Sequence, residues 1–276
     1  MIETKKVFIT VKTYPTLSKK YDELVCTAGF FEDGSWVRIY PLPFRKLDYE
    51  KRYKKYQWLE LQLERNFSDP RPETFKVVDR NKIDPVGEVV STDNFWKQRK
   101  EIIFSKSRIY TNLSALIILA KANELSLATF KPKEIIAFEV EKTEREWPKD
   151  KLALLEAKSK QLSLFQTPEE LKKEFAVVKK LPYKFFYRFR DEDGRESRLM
   201  IQDWEIGALY WNCLKGAGGD EKTALIKVRE KYSDSFLKKD IHLFLGTIRQ
   251  AHYRFPNPFV IIGVFYPPKN PQLSLF

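Results

Sequence analysis

The chain has 276 residues, with 50 Lys and Arg against 38 Asp and Glu, a formal net charge of +12 and 43% hydrophobic residues. Such a length and apolar content can build a real core and point to two domains, with one large domain also allowed; the basic excess favours a polyanionic neighbour such as nucleic acid over acidic small molecules. Two cysteines, Cys26 and Cys213, and two histidines, His242 and His252, exclude a disulfide scaffold and leave no Cys/His set at zinc-ligand spacing.

The opening MIETKKVFITVKTYP lacks the apolar stretch of a signal peptide, and no run reaches transmembrane length, so the expectation is a cytoplasmic protein with no membrane partner. KVFITVKTY, ELVCTAGFF and SWVRIYPL are strand-like, and EDGS at 32–35 places an Asp-Gly turn between the second and third. FRKLDYEKRYKKYQW, residues 44–58, interleaves six basic residues with aromatics. Cations can neutralise phosphates while rings stack on unpaired bases, so Lys51, Arg52, Lys54, Lys55 and Tyr56 are the candidate DNA contacts. Tyr49, Tyr53 and Tyr56 also have the spacing of an amphipathic helix that buries its aromatics and leaves its cations in water.

QWLELQLER alternates as a half-buried strand does, and TFKVVD and EIIAFEVEK read as further strands. TDNFWKQRKEIIF and TNLSALIILAKANEL read as helices, with Thr92 and Thr111 or Asn112 as candidate N-caps. Residues 1–142 are therefore expected to form a β-rich, nucleic-acid-binding domain, a small barrel or curled sheet with helical insertions. Residues 143–180 read as a charged helical connector that carries a pentapeptide, QLSLF, at 161–165. In 181–266, PYKFFYRF and SRLMI form a hairpin around DEDGRE. The helices DWEIGALYWNCLK and EKTALIKVREKY follow, then IHLFLGTI and PFVIIGVFY, which makes an α+β domain. Residues 267–276 are a Pro-rich tail that ends in a second QLSLF. The fold class expected for the whole chain is α+β.

A pentapeptide of this composition is expected in a chain of this length roughly once in a few thousand cases, so two copies call for an explanation. Gln161, Leu162, Ser163, Leu164 and Phe165, like Gln272, Leu273, Ser274, Leu275 and Phe276, resemble position by position the short motif with which bacterial DNA polymerases and mismatch-repair proteins dock on the β sliding clamp. The resemblance implies an extended segment whose Gln bonds the pocket edge and whose second Leu and Phe fill an apolar pocket. Burial of one such side chain contributes about 1.5–3 kcal/mol, offset by the ordering of the peptide. Two tethered copies facing a dimeric ring gain roughly 10²–10⁴-fold in avidity where the geometry allows both to engage. The alternative for either copy is a packed apolar contact, and for the internal copy the two readings are evenly balanced.

Asp191, Glu192, Asp193 and Glu196 at the hairpin, with Asp203 and Glu205 in QDWE, are the richest carboxylate constellation. Converging carboxylates hold Mg²⁺ for phosphodiester cleavage, which makes Asp191, Asp193, Asp203 and Glu205 the catalytic candidates of a clamp-recruited nuclease. DEDG is also a good turn, and Asp203 a good N-cap, and these plainer roles are the stronger expectation. GAGGDEKT at 216–223 is no phosphate loop, because Glu221 stands where Gly is needed. The hairpin, with TYPTLSKKYDELVCTAGF and WVRIYPLPFR, loosely resembles an uncharacterised bacterial family that has two cysteines and a histidine before the same DWE; Cys and His are missing from 190–201 here. The expected function is thus an adaptor or sensor in DNA replication, repair or anti-phage defence, with the β sliding clamp and DNA as partners and no cofactor. The alternatives are the Mg²⁺-dependent nuclease and an RNA-binding module whose pentapeptides are structural.

Overall fold

The computed structural model describes residues 2–18, 22–42, 44, 47, 52–79, 81–162 and 178–269. Strand β1 (Glu3–Lys12) is apolar on both faces, and each face serves a different core. Successive side chains on a strand alternate. Val7 and Ile9 therefore join Val25, Val37, Leu59 and Leu61 in one cluster, while Phe8 joins Phe244, Val260 and Phe265 in another. β1 pairs antiparallel with β3 (Asp22–Phe31) and with β5 (Gln57–Arg65). β3 continues to β4 (Trp36–Leu42), which runs parallel to β6 (Thr74–Val77), and β6 returns to β5. The order β1-β3-β4-β6-β5 thus closes a five-stranded barrel, with β2 (Thr16–Ser18) added beside β3 and β7 (Ile83–Val86) beside β5. Closure removes the open edges that would otherwise invite pairing with another chain. At the β3–β4 turn, Gly34 takes φ +82° and Asp33 Oδ1 accepts from the Ser35 amide at 2.8 Å, the Asp-Gly turn expected there.

Helix α1 (Asp93–Phe104) leaves the barrel with Asn94, Phe95 and Trp96 at positive φ, so its first turn is left-handed and Trp96 is directed onto Phe265 and Tyr266, with ring centroids 5.5 and 5.1 Å away. A second sheet follows. It contains β8 (Ile109–Tyr110), β9 (Leu127–Phe130), β10 (Glu134–Lys142), β11 (Tyr183–Arg190), β12 (Glu196–Ile201), β13 (His242–Thr247) and β14 (Phe259–Phe265), in the order β10-β11-β12-β14-β13-β9-β8. Helices α2 (Leu113–Lys121), α4 (Trp204–Gly216) and α5 (Glu221–Arg229) pack on this sheet through Leu116, Tyr210 and Val228, and α3 (Lys149–Leu162) follows β10. A π-helical turn (Glu230–Ser235) extends α5.

The molecule is α+β. Its second sheet begins at residue 109, so 109–142 lies with the C-terminal strands and not with the barrel, as the sequence reading had placed it. The pairings responsible, Leu243 with Phe130 and Glu134 with Arg190, span long stretches of chain and leave no local periodicity to read. Every residue of β13 and β14 is buried. These two strands have the barrel on one face and the helices on the other, which is why their sequences are continuous apolar runs and not alternating ones.

Candidate functional site

The basic stretch and the QDWE carboxylates, far apart in sequence, meet where the barrel abuts α4. Asp203 caps α4 by accepting from the Glu205 amide at 3.3 Å, as expected of Asp before a helix start. Its other oxygen lies 3.2 Å from Lys55 Nζ, and Glu205 lies 3.1 Å from the same nitrogen. Lys55 is 7% exposed and Asp203 is 0% exposed. Lys55 is therefore turned into the fold and not toward a phosphate backbone, because a buried carboxylate at a helix cap demands a counter-ion. Tyr56 is buried as well, with Arg99 stacked over its ring at 4.0 Å. Arg52 and Lys54 are exposed, and Lys51 lies outside the described residues.

One ammonium serves two carboxylates here. Burial pushes the Asp203 carboxyl up to about 6, against the pull of Lys55. Lys55 itself stays charged, held well above the ordinary lysine value by Asp203 and Glu205 against the cost of its burial. Lys12 stands beside them with Nζ 4.3 Å from the ring centre of Phe44 and 5.7 Å from that of Trp204, and donates to the Tyr53 carbonyl at 3.3 Å. Burial first, then the Lys55 charge, lower the Lys12 amine to about 8.

The other two carboxylate candidates serve a different corner. Asp191 accepts from the Leu113 amide at 3.2 Å and from the Arg195 amide at 2.9 Å, so it joins the hairpin turn to the start of α2, while Asp193 is bonded to the Asn112 side chain. Asp191 and Asp193 therefore do not converge with Asp203 and Glu205. Among the described residues no group of three or more His, Cys, Asp or Glu side chains is placed to hold a metal ion. Gln161 and Leu162 are the last residues of α3, and Ser163, Leu164, Phe165 and 272–276 lie outside the described residues. No helix among the described residues is long and apolar enough to cross a membrane.

Sequence reasoning missed a cavity of about 160 Å³ in the seam between barrel and second sheet, lined among others by Cys26, Arg38, Tyr40, Arg71 and Arg249. Arg38 projects from β4, a strand otherwise read as plain core, and is 1% exposed. Its Nη1 and Nη2 donate to Ser126 Oγ at 2.5 Å and to the Ser126 carbonyl at 3.1 Å. The Ser126 hydroxyl donates in turn to Glu73 Oε2 at 2.5 Å. Arg71 grips Asp69 through Nη2 at 2.5 Å and Nε at 2.9 Å. A lone arginine inside VRIY, where an apolar residue would suit the strand, was the available signal.

Residues 3–105 match the family model described as Domain of unknown function (DUF8758), and residues 111–276 match that described as Domain of unknown function (DUF8757). No curated protein matches the chain. Residues 106–110, which include β8, separate the two matches, where the barrel unit gives way to the second sheet. Because the second match spans more than half of its residues, the chain belongs to the DUF8757 family.

Proposed function

We propose that this protein is a cytoplasmic, DNA-associated adaptor or sensor that docks on the β sliding clamp through QLSLF, in a setting of DNA replication, repair or defence against foreign DNA. The single observation that carries the reading is the doubled pentapeptide, which matches the clamp-docking motif at all five positions in both copies. The net charge of +12 supports a polyanionic partner. Among the described residues of the basic stretch, Arg52 and Lys54 are the exposed cations, and Lys55 is paired with Asp203.

Competition on the clamp tests the reading. The protein is expected to co-elute with a purified bacterial β clamp on gel filtration, and excess free QLSLF peptide is expected to release it. Removal of 272–276 is expected to weaken co-elution without lowering the unfolding midpoint. Co-elution that survives both the peptide and the truncation would refute docking through this motif.

A further inference from the structure

Three guanidinium groups line the seam cavity, and they differ in how their charge is met. Arg71 is matched by Asp69. Arg249, exposed, gives Nη2 to the Ser68 carbonyl at 2.6 Å, and Arg38 donates to neutral oxygens of Ser126 and Thr74, with the Glu73 carboxylate reached only through the Ser126 hydroxyl. Among the described residues neither Arg38 nor Arg249 forms an ion pair, and Arg38 Nε, buried, has no hydrogen-bond partner. A guanidinium buried beside a cavity with an N–H left open is costly until an acceptor arrives. Its planar fork suits a phosphate.

Size narrows the ligand further. About 160 Å³ is below the roughly 300–1,000 Å³ of a drug-sized site, so the cavity admits a phosphate-sized group and leaves the rest of its carrier outside. Outside, the Arg249–Ser68 bond holds the loop that carries Phe67 against the loop that carries Phe255. Phe67 is 90% exposed and Phe255 56% exposed, and large rings left bare beside cations are stacking platforms for unpaired bases.

We infer that the seam cavity receives a phosphate group through Arg38 and Arg249, and that the group is the terminal phosphate of a single-stranded DNA whose first bases stack on Phe67 and Phe255. The inference rests on the DNA half of the proposed function and is independent of clamp docking.

Cys26 lines the cavity and Cys213 does not, so the two thiols report on it within one chain. The full-length protein is treated with a thiol reagent in the presence of inorganic phosphate, and separately titrated with a short single-stranded DNA bearing either a 5′-phosphate or a 5′-hydroxyl. Phosphate is expected to slow modification of Cys26 and leave Cys213 unchanged. The 5′-phosphorylated strand is expected to bind at least about tenfold more tightly than the 5′-hydroxyl strand. Arg249→Ala, an exposed position, removes both effects while the unfolding midpoint holds, and Phe67→Ala weakens the strand but not inorganic phosphate. Protection of Cys26 without a 5′-phosphate preference would keep the cavity as a phosphate site and overturn the DNA end as its source. Neither protection nor preference would overturn the site, even if both strands bind elsewhere. Protection with no binding of either strand would keep the phosphate site and defeat both the DNA half of the function and the DNA end as its ligand.

Discussion

Lys55 sits in a run of cations yet spends its charge inside the protein, on Asp203 and Glu205. Breaking a buried pair strands a charge, so Lys55→Met is expected to cost about 3–5 kcal/mol in urea unfolding. Asp203→Asn retains a capping side chain and costs less. Together the two substitutions are expected to cost clearly less than the sum of the singles, and additive losses would show that the pair is not coupled. The pH dependence has a definite sign. The Asp203 carboxyl is raised to about 6 in the folded state, so its contribution to stability is present in acid and lost as pH climbs through that value; Asp203→Asn flattens this decline. Lys12, depressed to about 8, does the reverse: stability rises as pH climbs from about 8 toward the ordinary 10.5, and Lys12→Met abolishes the rise. A stability curve unchanged by either substitution would contradict these assignments. Asp203 as a cap was legible from QDWE, because capping is local. Its ion pair was not, since the partner lies 148 residues away and no short-range pattern encodes it.

Among the elements, the strands were the easiest to read and their neighbours the hardest. The β3–β4 hairpin announces itself through Asp33 and Gly34, whereas the burial of β13 and β14 on both faces appears only as unbroken apolar runs that do not say what covers them. The covering is the barrel. Phe8 and Phe30 of β1 and β3 share one cluster with Phe244 of β13, so Phe244→Ala is expected to cost about 3–5 kcal/mol and to loosen both halves in a single transition. Two separate unfolding transitions in the native protein would contradict a shared core. A second lock joins the same parts: the Tyr14 hydroxyl accepts from Trp211 Nε1 at 2.8 Å, and the Tyr14 ring lies against Gly207 of α4. A Cβ at Gly207 would stand 2.1 Å from the Tyr14 ring, so Gly207→Ala forces the ring to move and is expected to destabilise by about 1–3 kcal/mol; Tyr14→Leu combined with it relieves part of the clash. Helix α1 was legible as a helix, but its left-handed first turn was not, because packing of Trp96 on Phe265 and Tyr266 overrides local preference there.

At the scale of the whole molecule, a barrel and a second sheet share a seam, and cations among the described residues divide into buried and exposed ones. Lys55, Arg71 and Arg99 are held by Asp203, Asp69 and the Tyr56 ring, while Arg52, Lys54 and Arg249 remain at the surface. Neutralising Arg52 and Lys54 is expected to weaken DNA binding and to shrink its salt slope by about 0.9 per lost phosphate contact, whereas Lys55→Met leaves the slope alone. A slope unchanged by the first pair would remove that face from the interface. The basic composition is the basis on which a polyanionic partner is proposed, but the seam arginines were hidden because each looks ordinary until the fold collects them. The clamp reading is tested most directly by calorimetric titration of a purified bacterial β clamp with the intact protein, with the protein lacking 272–276, and with Leu164→Ala plus Phe165→Ala. Clamp docking predicts binding that falls sharply without 272–276 and falls further, by loss of avidity, when the internal copy is also disabled. No heat from the intact protein, together with no displacement of a known pocket peptide, would contradict it.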